Sequence, residues 1–446
     1  MADAQGRSVG GHTTNLETGV IHGGRSPQRL PKAPAHDRGE HFLPSALMMP
    51  SMDAFSNDLI DLQIRLRRSV GKSDLTYIRN CELAGRACTA VGFATAWLYL
   101  NPLSIVLVAI GQVARWGIAH HILHHAFEGI EGCPPRFRAT SFGKGWRRLL
   151  DWNEWMLPAA FQHEHNVHHV YTGEHQDPDV VEANLEFLRT SPQPKWVKYV
   201  MTAVIALTWR LSYYAPGTFI QLRRRQQGQK PTPYELHSLL MFAHLFSPFS
   251  KEGLRFWRLC ILPTLTTRFV MLPAAFLLIS SQAALNVLIT LIAAELLTNV
   301  YTFVLIASSH TGDDIYRFSE HSAGRGGFHR HQVLGTINYS RGPVLRDFLH
   351  MWINYQIEHH LFPNLPPSQY PKCAAEVQAI CEKHGVPYRA EPLHRRMWRM
   401  LDIAVGNTSM RTDNDARSDA PPQGHAAVEP KPSFSEAFEA ATPSPA

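Results

Sequence analysis

Paired cysteines are absent from this sequence. Its six cysteines are scattered and none forms a C-x-x-C motif, which argues against a disulfide scaffold or a thiolate metal site and fits a reducing compartment. The N-terminus also lacks the short apolar core and small-residue cleavage site of a secretory signal, so we expect internal segments to direct any membrane insertion. The basic residues are not interleaved with aromatic ones as in a single-strand nucleic-acid groove, and we therefore expect no nucleic-acid partner.

The net charge of +6 comes from basic residues in polar stretches that flank apolar ones, for example at 223–225 and 395–396. This placement favours a membrane surface or an acidic protein as partner. Residues 1–45 are rich in Gly, Pro, His and Arg, and residues 405–446 in Pro, Ala, Ser, Asp and Glu, with no sustained apolar period in either. Because neither segment can bury enough apolar surface to offset its ordering entropy, we predict disordered tails around a folded body at 46–400.

Four apolar runs predict an all-α integral membrane protein. Residues 87–100 and 102–119 are separated by Asn-Pro, and residues 256–279 and 283–309 by Ser-Ser-Gln, so each pair is typical of a helical hairpin across a bilayer. A fifth stretch at 198–222 is interrupted by Arg, Tyr, Pro and Gly, which is more typical of a helix lying in the headgroup region.

Four crossings would place the histidines near residues 165 and 359 on the same side of the membrane. That side holds nearly all Lys and Arg of the loops, whereas the connectors at 101–102 and 280–282 are uncharged, so the positive-inside rule places the histidines and both termini in the cytoplasm. Arg268 lies inside the third apolar run. Because an isolated charge there is costly, it must snorkel, meet a partner or line a polar cavity.

Histidines, of which the chain has 25, recur at spacings that suit a metal site. Residues four apart on a helix share one face, and the H-x-x-H-H spacing places three imidazoles within about one turn. The first group has two registers, His120 with His124 and His121 with His125, and the residues alone do not choose between them. The later members are His163, His165, His168, His169, His310, Gln356, His359 and His360.

These donors exceed what one ion needs, since a single zinc takes three or four protein ligands, whereas two ions with four or five ligands each would use the whole set. A site without thiolates beside long apolar helices favours a redox pair acting on a lipid over a hydrolase. Asp177 and Asp179 either orient a ligating imidazole or serve as turn and cap residues. The remote alternative is a membrane protein that binds or transports zinc or another divalent ion without catalysis, but transporters usually hold ionisable ligands at mid-membrane, whereas these histidines flank the spans.

Together these residues resemble the membrane fatty acid desaturase superfamily, whose members carry three histidine boxes. Here the boxes read HHILH at 120–124, HNVHH at 165–169 and QIEHH at 356–360. The third box and its continuation, HLFPNLPPSQYPKCAAEVQAICEKHGVPY, are similar to front-end and related acyl-lipid desaturases. The resemblance covers roughly residues 85–390. It implies four transmembrane helices under a cytosolic helical cap, with two iron ions between cap and membrane.

The resemblance also implies a reaction and a set of ligands. The enzyme would use O₂ to place a double bond in an acyl chain carried on a lipid, on CoA or on a carrier protein. Gln356 would be a weak, water-mediated or indirect ligand where other branches have histidine, and His121 and His125 would be neighbours of the site. The implied iron ligands are His120, His124, His165, His168, His169, His310, His359 and His360.

Three features depart from parts of this family. No HPGG haem motif of a fused cytochrome b5 domain occurs in the sequence, so we expect a separate electron donor: ferredoxin, rubredoxin, or cytochrome b5 with its reductase. Residue 306 is Ile where some acyl-CoA members place a water-bridging Asn, so we expect one iron to be coordinated differently. Hydroxylases, epoxygenases and ketolases share the boxes, and the main alternative is therefore a diiron enzyme that adds oxygen to a lipid.

Overall fold

The computed structural model describes residues 52–230 and 243–412, and helices dominate this part of the chain. The strands are two residues long and form two parallel pairs, β1 with β4 and β2 with β3. The predicted tail at 1–45 lies outside the described residues.

In chain order, the helices and strands are α1 (Met52–Ser69), α2 (Lys72–Ala96), α3 (Pro102–Leu123), α4 (Arg147–Asp151), α5 (Pro158–Val170), α6 (Val181–Asn184), α7 (Glu186–Arg189), α8 (Lys195–Trp209), α9 (Ala215–Gln226), α10 (Lys251–Leu278), α11 (Ser281–Ser309), β1 (Tyr316–Arg317), α12 (Gly324–Leu334), β2 (Asn338–Tyr339), α13 (Val344–Leu349), α14 (Gln356–Leu361), α15 (Tyr370–Lys383), β3 (Ala390–Glu391), α16 (Leu393–Ala404) and β4 (Arg411–Thr412).

The first residues of the predicted C-terminal tail pack against the helical body. Met410 is buried in a small apolar cluster with Ile315 and Ile403, and the Arg411 N–H donates to the Ile315 carbonyl at 2.9 Å where β4 joins β1. Hydrogen bonds from Arg189 to Thr408 and Ser409 add to these contacts, so residues 405–412 belong to the folded body and not to the predicted tail. Residues 413–446 lie outside the described part.

Helices α2 and α3 form the first hairpin, and small residues bring them close together. A Cβ added to Gly85 would lie 2.7 Å from the Cβ of Ala114, and one added to Gly111 would clash with Thr89. The turn between them is capped by Asn101, whose Oδ1 accepts a hydrogen bond from the Ser104 N–H at 2.8 Å. The Asn-Pro break in the sequence thus becomes a helix start, with Pro102 in the first turn.

Three helices are long and apolar enough to cross a membrane: α3, α10 and α11. They coincide with three of the four predicted spans. The remaining span, 87–100, lies largely in the second half of α2, whose first half is polar and carries Asp74, Arg79 and Glu82. A fourth crossing therefore stays a prediction.

The stretch predicted to lie in the headgroup region, 198–222, belongs to α8 and α9, which are joined by a wide π-helical turn at Arg210–Tyr214. Helix α8 packs along α11 and exposes an apolar face that includes Val200 and Val204. Its depth in a membrane stays a prediction.

Arg268 meets partners inside the protein, which was one of the three outcomes expected for it. Its Nη1 lies 2.6 Å from Glu295 Oε2 and its Nη2 lies 3.3 Å from Glu154 Oε1. Arg210 binds the same two carboxylates, at 2.5 Å and 3.2 Å respectively. Two cations and two anions thus form a buried, charge-balanced network between α8–α9, α10, α11 and the loop after α4. Each charge has a partner of opposite sign, and a buried charge without such a partner would destabilise the fold far more.

Candidate metal centre

The end of α3 decides between the two histidine registers. His120 and His124 lie one turn apart and face the same side, toward α5 and α14. The helix ends at Leu123, and His125 adopts a left-handed backbone with φ of 63°. As a result the His125 ring turns outward, is half exposed and binds Glu128 at 2.9 Å.

Helix α5 divides its histidines between two directions. His165 and His169, four residues apart, face His120 and His124, with ring centroids 4.5 to 4.9 Å away. His168 points to the other side and lies 4.5 Å from the ring of His310, the residue that caps the end of α11. The three histidines of this one motif thus contribute donor atoms to two separate groups.

The third motif divides in the same way. His359 and His360 are consecutive in the short helix α14, so their side chains diverge. His359 lies beside His120 and His124, and His360 beside His168 and His310. Met351 and Trp352, just before this helix, both have positive φ. Such backbone is costly for residues with side chains, and it persists because the surrounding core holds it.

The eight implied ligands therefore form two groups, and in each group one ligand atom per residue lies within 4.8 Å of all the others. We call them the five-histidine cluster and the three-histidine cluster. The clusters adjoin where the rings of His169 and His360 stack at 4.2 Å. The five-histidine cluster consists of His120, His124, His165, His169 and His359, and the three-histidine cluster of His168, His310 and His360.

The positions of the donor nitrogens in these clusters suit binding to metal ions better than hydrogen bonding between the histidines. The Nε2 atoms of His124, His168, His359 and His360 are buried and have no hydrogen-bond partner among residues 52–230 and 243–412, which is unfavourable unless something else binds them. The Nε2 of His165 lies 2.7 Å from that of His120 and 3.2 Å from that of His169. Nitrogens about 2.1 Å from a shared ion would lie roughly 3 Å apart.

Neighbouring groups hold the rings by their other nitrogen. His168 Nδ1 donates to Asp177 Oδ1 at 2.8 Å, and His360 Nδ1 donates to Gln332 Oε1 at 2.9 Å. His359 Nδ1 hydrogen-bonds the Tyr370 hydroxyl at 3.2 Å. Contacts of this kind select the tautomer that leaves Nε2 free for a metal.

Electrostatics keeps most of these imidazoles in the neutral form that binds metals. Burial, followed by the proximity of other imidazoles, lowers the pKa of His165, His169, His359 and His360. Burial acts the same way on His168, but the Asp177 carboxylate outweighs it and raises the pKa of His168.

The other predicted site residues lie around the clusters. The Gln356 amide Nε2 is 2.8 Å from His310 Nε2, at the edge of the three-histidine cluster. His121 is buried between Trp352 and Tyr370 and belongs to neither cluster. His163 is half-buried and also outside both.

Asp179 lies close to His165 of the five-histidine cluster. One of its carboxylate oxygens is within 4.8 Å of the nearest ligand atoms of His165 and Glu164. Burial raises the pKa of Asp179 to about 6. Asp177 and Asp179 therefore differ, since the former holds a ligand ring and the latter lines the pocket described next.

An apolar pocket reaches both clusters. About 430 Å³ of empty space is bounded by His120 and His165 on one side, by His168 and His310 on the other, and otherwise mainly by apolar and aromatic side chains such as Trp116. A second pocket of about 530 Å³ lies between α8 and α11 and shares Asp179, Ile306 and His310 with the first. The two pockets are therefore neighbours, and both touch the three-histidine cluster at His310.

A model of the fatty acid desaturase family matches residues 95–392, about two thirds of the sequence. This chain belongs to the fatty acid desaturase family. It is thus an enzyme of that family, and its substrate carries an acyl chain.

Curated relatives of this chain act on differently carried acyl groups. An NADPH-dependent stearoyl-CoA 9-desaturase of Mycobacterium tuberculosis is 23% identical over 385 residues, which cover 80% of each chain. A Delta(8)-fatty-acid desaturase of Euglena gracilis is 30% identical over 123 residues, 26% of this chain and 27% of its own. An acyl-lipid (9-3)-desaturase of Physcomitrium patens is 31% identical over 101 residues, 23% of this chain and 18% of its own.

Several residues that support the desaturase site were not found from the sequence. Gln332 and Tyr370, which hold cluster rings, are separated from the histidines they bind by 28 and 11 positions and follow no recurring spacing. Glu164 immediately precedes the second box, is fully buried and accepts a hydrogen bond from Tyr214 at 3.1 Å. The position of this carboxylate between His163 and His165 was the one available signal.

Proposed function

We propose that this desaturase introduces a double bond into the acyl chain of a membrane lipid, with O₂ as co-substrate and an external electron donor. The observation that carries the proposal is the convergence of eight histidines in two adjoining buried clusters at the end of an apolar pocket. An apolar pocket suits a methylene chain, which offers no polar handle and is selected by how far it can enter.

The five-histidine and three-histidine clusters would each hold one iron ion, with the Gln356 amide beside the smaller set. Bound iron would supply the activation of O₂ that no amino-acid side chain provides. The net reaction removes two hydrogens from the chain, takes two electrons and two protons from outside, and reduces O₂ to two waters.

The protein's own residues would position and shield the reaction. Asp177, Gln332 and Tyr370 hold the ligand rings, and the aromatic wall at Trp116 and Phe161 keeps water from the hydrocarbon path. Electrons would come from a ferredoxin, a rubredoxin, or cytochrome b5 with its reductase.

We further propose four membrane crossings, by α2, α3, α10 and α11, with the clusters and both termini in the cytoplasm. The three long apolar helices and the closeness of the α2–α3 pair support this arrangement. Accessibility mapping should place residues 101 and 280 across the membrane from residues 165 and 359. If residues 165 and 359 map to opposite sides, the topology is wrong.

The decisive experiment is expression in a host with a simple lipid profile, followed by mass spectrometry of the acyl chains. The active chain should give new double bonds, and the purified protein should contain two irons. His168→Ala should abolish the product, because it removes one of three donors, whereas the matched control His125→Ala should retain it, because that ring faces outward.

Three results would contradict the proposal. Products that gain oxygen would indicate a hydroxylase or ketolase. Zinc in place of iron, without O₂-dependent oxidation, would indicate a metal-binding protein. Equal products from the active chain and His168→Ala would refute the ligand assignment.

A further inference from the structure

A second cavity, remote from the histidines, lies on the other side of α3 and is lined by arginines. It holds about 440 Å³ of empty space between α2, α3 and the segment that leads to α4. Its lining residues include Arg86, Arg115 and Arg136 together with Glu82 and Asp151. Neither the proposed ligands nor the substrate pocket contributes a residue to it.

The two carboxylates are already shared among three arginines. Glu82 binds Arg86 at 2.8 Å and Arg136 at 3.1 Å. Asp151, which is almost fully buried, binds Arg147 at 2.8 Å and Arg86 at 3.4 Å.

Arg115 binds neither of these carboxylates, and the anion that acts on it electrostatically, Glu154, is already bound by Arg210 and Arg268. Within the described residues it makes no hydrogen bond and no ion pair, although it is half-buried and lines the cavity. Three arginines and two carboxylates thus line the cavity, an excess of one positive charge, and Arg147 binds Asp151 from outside it. Guanidinium groups with spare N–H donors are the groups that bind phosphate oxygens best.

The surroundings point to a lipid as the source of the phosphate. Beside Asp151, the side chains of Leu149 and Leu150 are exposed, and Trp146 is 69% exposed with the Arg147 guanidinium over its ring at 5.7 Å. Exposed Trp and Leu next to arginine are typical of a surface at the headgroup level of a bilayer. Leu83, on α2 next to Glu82, is also exposed and offers a surface for acyl chains.

We propose that this cavity binds the phosphate group of an anionic phospholipid, with Arg115 as the central contact and Arg86 and Arg136 beside it. The lipid would sit between α2, α3 and α4 as a bound structural lipid, separate from the substrate path. The proposal depends on the membrane placement of the chain but not on the reaction, so it can be tested without turnover.

The test measures lipid binding to the full chain purified in detergent, by native mass spectrometry with phosphatidylglycerol, phosphatidylcholine and inorganic phosphate as separate probes. Phosphatidylglycerol should bind about tenfold more tightly to the wild type than to Arg115→Gln, since one charge-assisted contact is lost. Arg115→Lys should give an intermediate affinity. Arg325→Gln, which changes an exposed arginine on α12 outside the cavity, should bind like the wild type.

The three probes separate the sources of the phosphate. Weaker binding of phosphatidylcholine supports the proposal, because its choline cation would meet the arginines. Equal binding of both lipids, unchanged binding in Arg115→Gln, or Arg115-dependent binding of inorganic phosphate without lipid would each overturn it. If Arg115→Gln does not fold, Arg136→Gln replaces it, because the Arg136 side chain is 39% exposed.

Discussion

The buried network of Arg210, Arg268, Glu154 and Glu295 offers a quantitative test of the fold. Glu295→Gln keeps the shape of the side chain and an oxygen that can accept the hydrogen bond from Trp155 Nε1, now 2.7 Å from Glu295 Oε1. It removes the anion that binds Arg210 at 2.5 Å and Arg268 at 2.6 Å. Two guanidinium groups would then share the single carboxylate of Glu154.

Removing one partner of a buried ion pair costs about 3–5 kcal/mol, because the other charge stays buried without compensation. Because Glu295→Gln keeps the hydrogen bond from Trp155, its cost should lie near the lower end of this range. We therefore expect the free energy of unfolding to fall by about 3 kcal/mol. Equilibrium unfolding of the detergent-solubilised protein, followed by tryptophan fluorescence, measures this change.

Two further variants make the result specific. Glu252→Gln breaks an exposed pair with Arg223 at 3.1 Å, in which the Glu252 side chain is 45% exposed, and should cost less than about 1 kcal/mol. Glu295→Gln combined with Arg268→Met restores one cation to one anion and should recover more than half of the loss. A Glu295→Gln protein as stable as Glu252→Gln would refute the view that these charges are shielded from water.

Three other predictions concern the site. Asp177→Asn should lower activity and bound iron together by about 10–100-fold, because the His168 ring loses the carboxylate that orients it; unchanged iron content would contradict this role. Chelation should abolish activity, and Fe²⁺ but not Zn²⁺ should restore it in an O₂-consumption assay, since redox chemistry needs a metal that changes oxidation state; recovery with zinc would refute a redox role for the clusters. Ile306→Trp should block the wall shared by both pockets and shift the products toward shorter chains in lipid analysis, and an unaltered chain-length profile would show that the substrate enters elsewhere.

The two-cluster arrangement follows from simple helix geometry. On α5 the residues four apart, His165 and His169, share a face, while His168 points away from it. Consecutive residues on α14 diverge by about 100°, so His359 and His360 serve different clusters. The H-x-x-H-H spacing is thus a way for one short helix to supply side chains to two neighbouring histidine clusters.

Much of the fold and of the site could be predicted from local patterns in the sequence. Three apolar runs became helices of membrane length, since length and hydropathy are properties of the segment itself. The eight histidines proposed as ligands all lie in the clusters, since their spacing along helices is also local. Family membership could likewise be predicted from the three histidine boxes.

Other features depended on contacts between distant segments, which no local pattern encodes. Arg268 became part of a neutral network because Glu295 on α11 and Glu154 in the loop before α5 supply the two carboxylates, which Arg268 shares with Arg210. The first histidine register was decided by the left-handed turn at His125 and by where α5 and α14 lie. Gln332 and Tyr370 reach the rings only because α12 and α15 pack beside α14. Spacing along a helix determines which side chains share a face, but only packing between helices determines what that face meets.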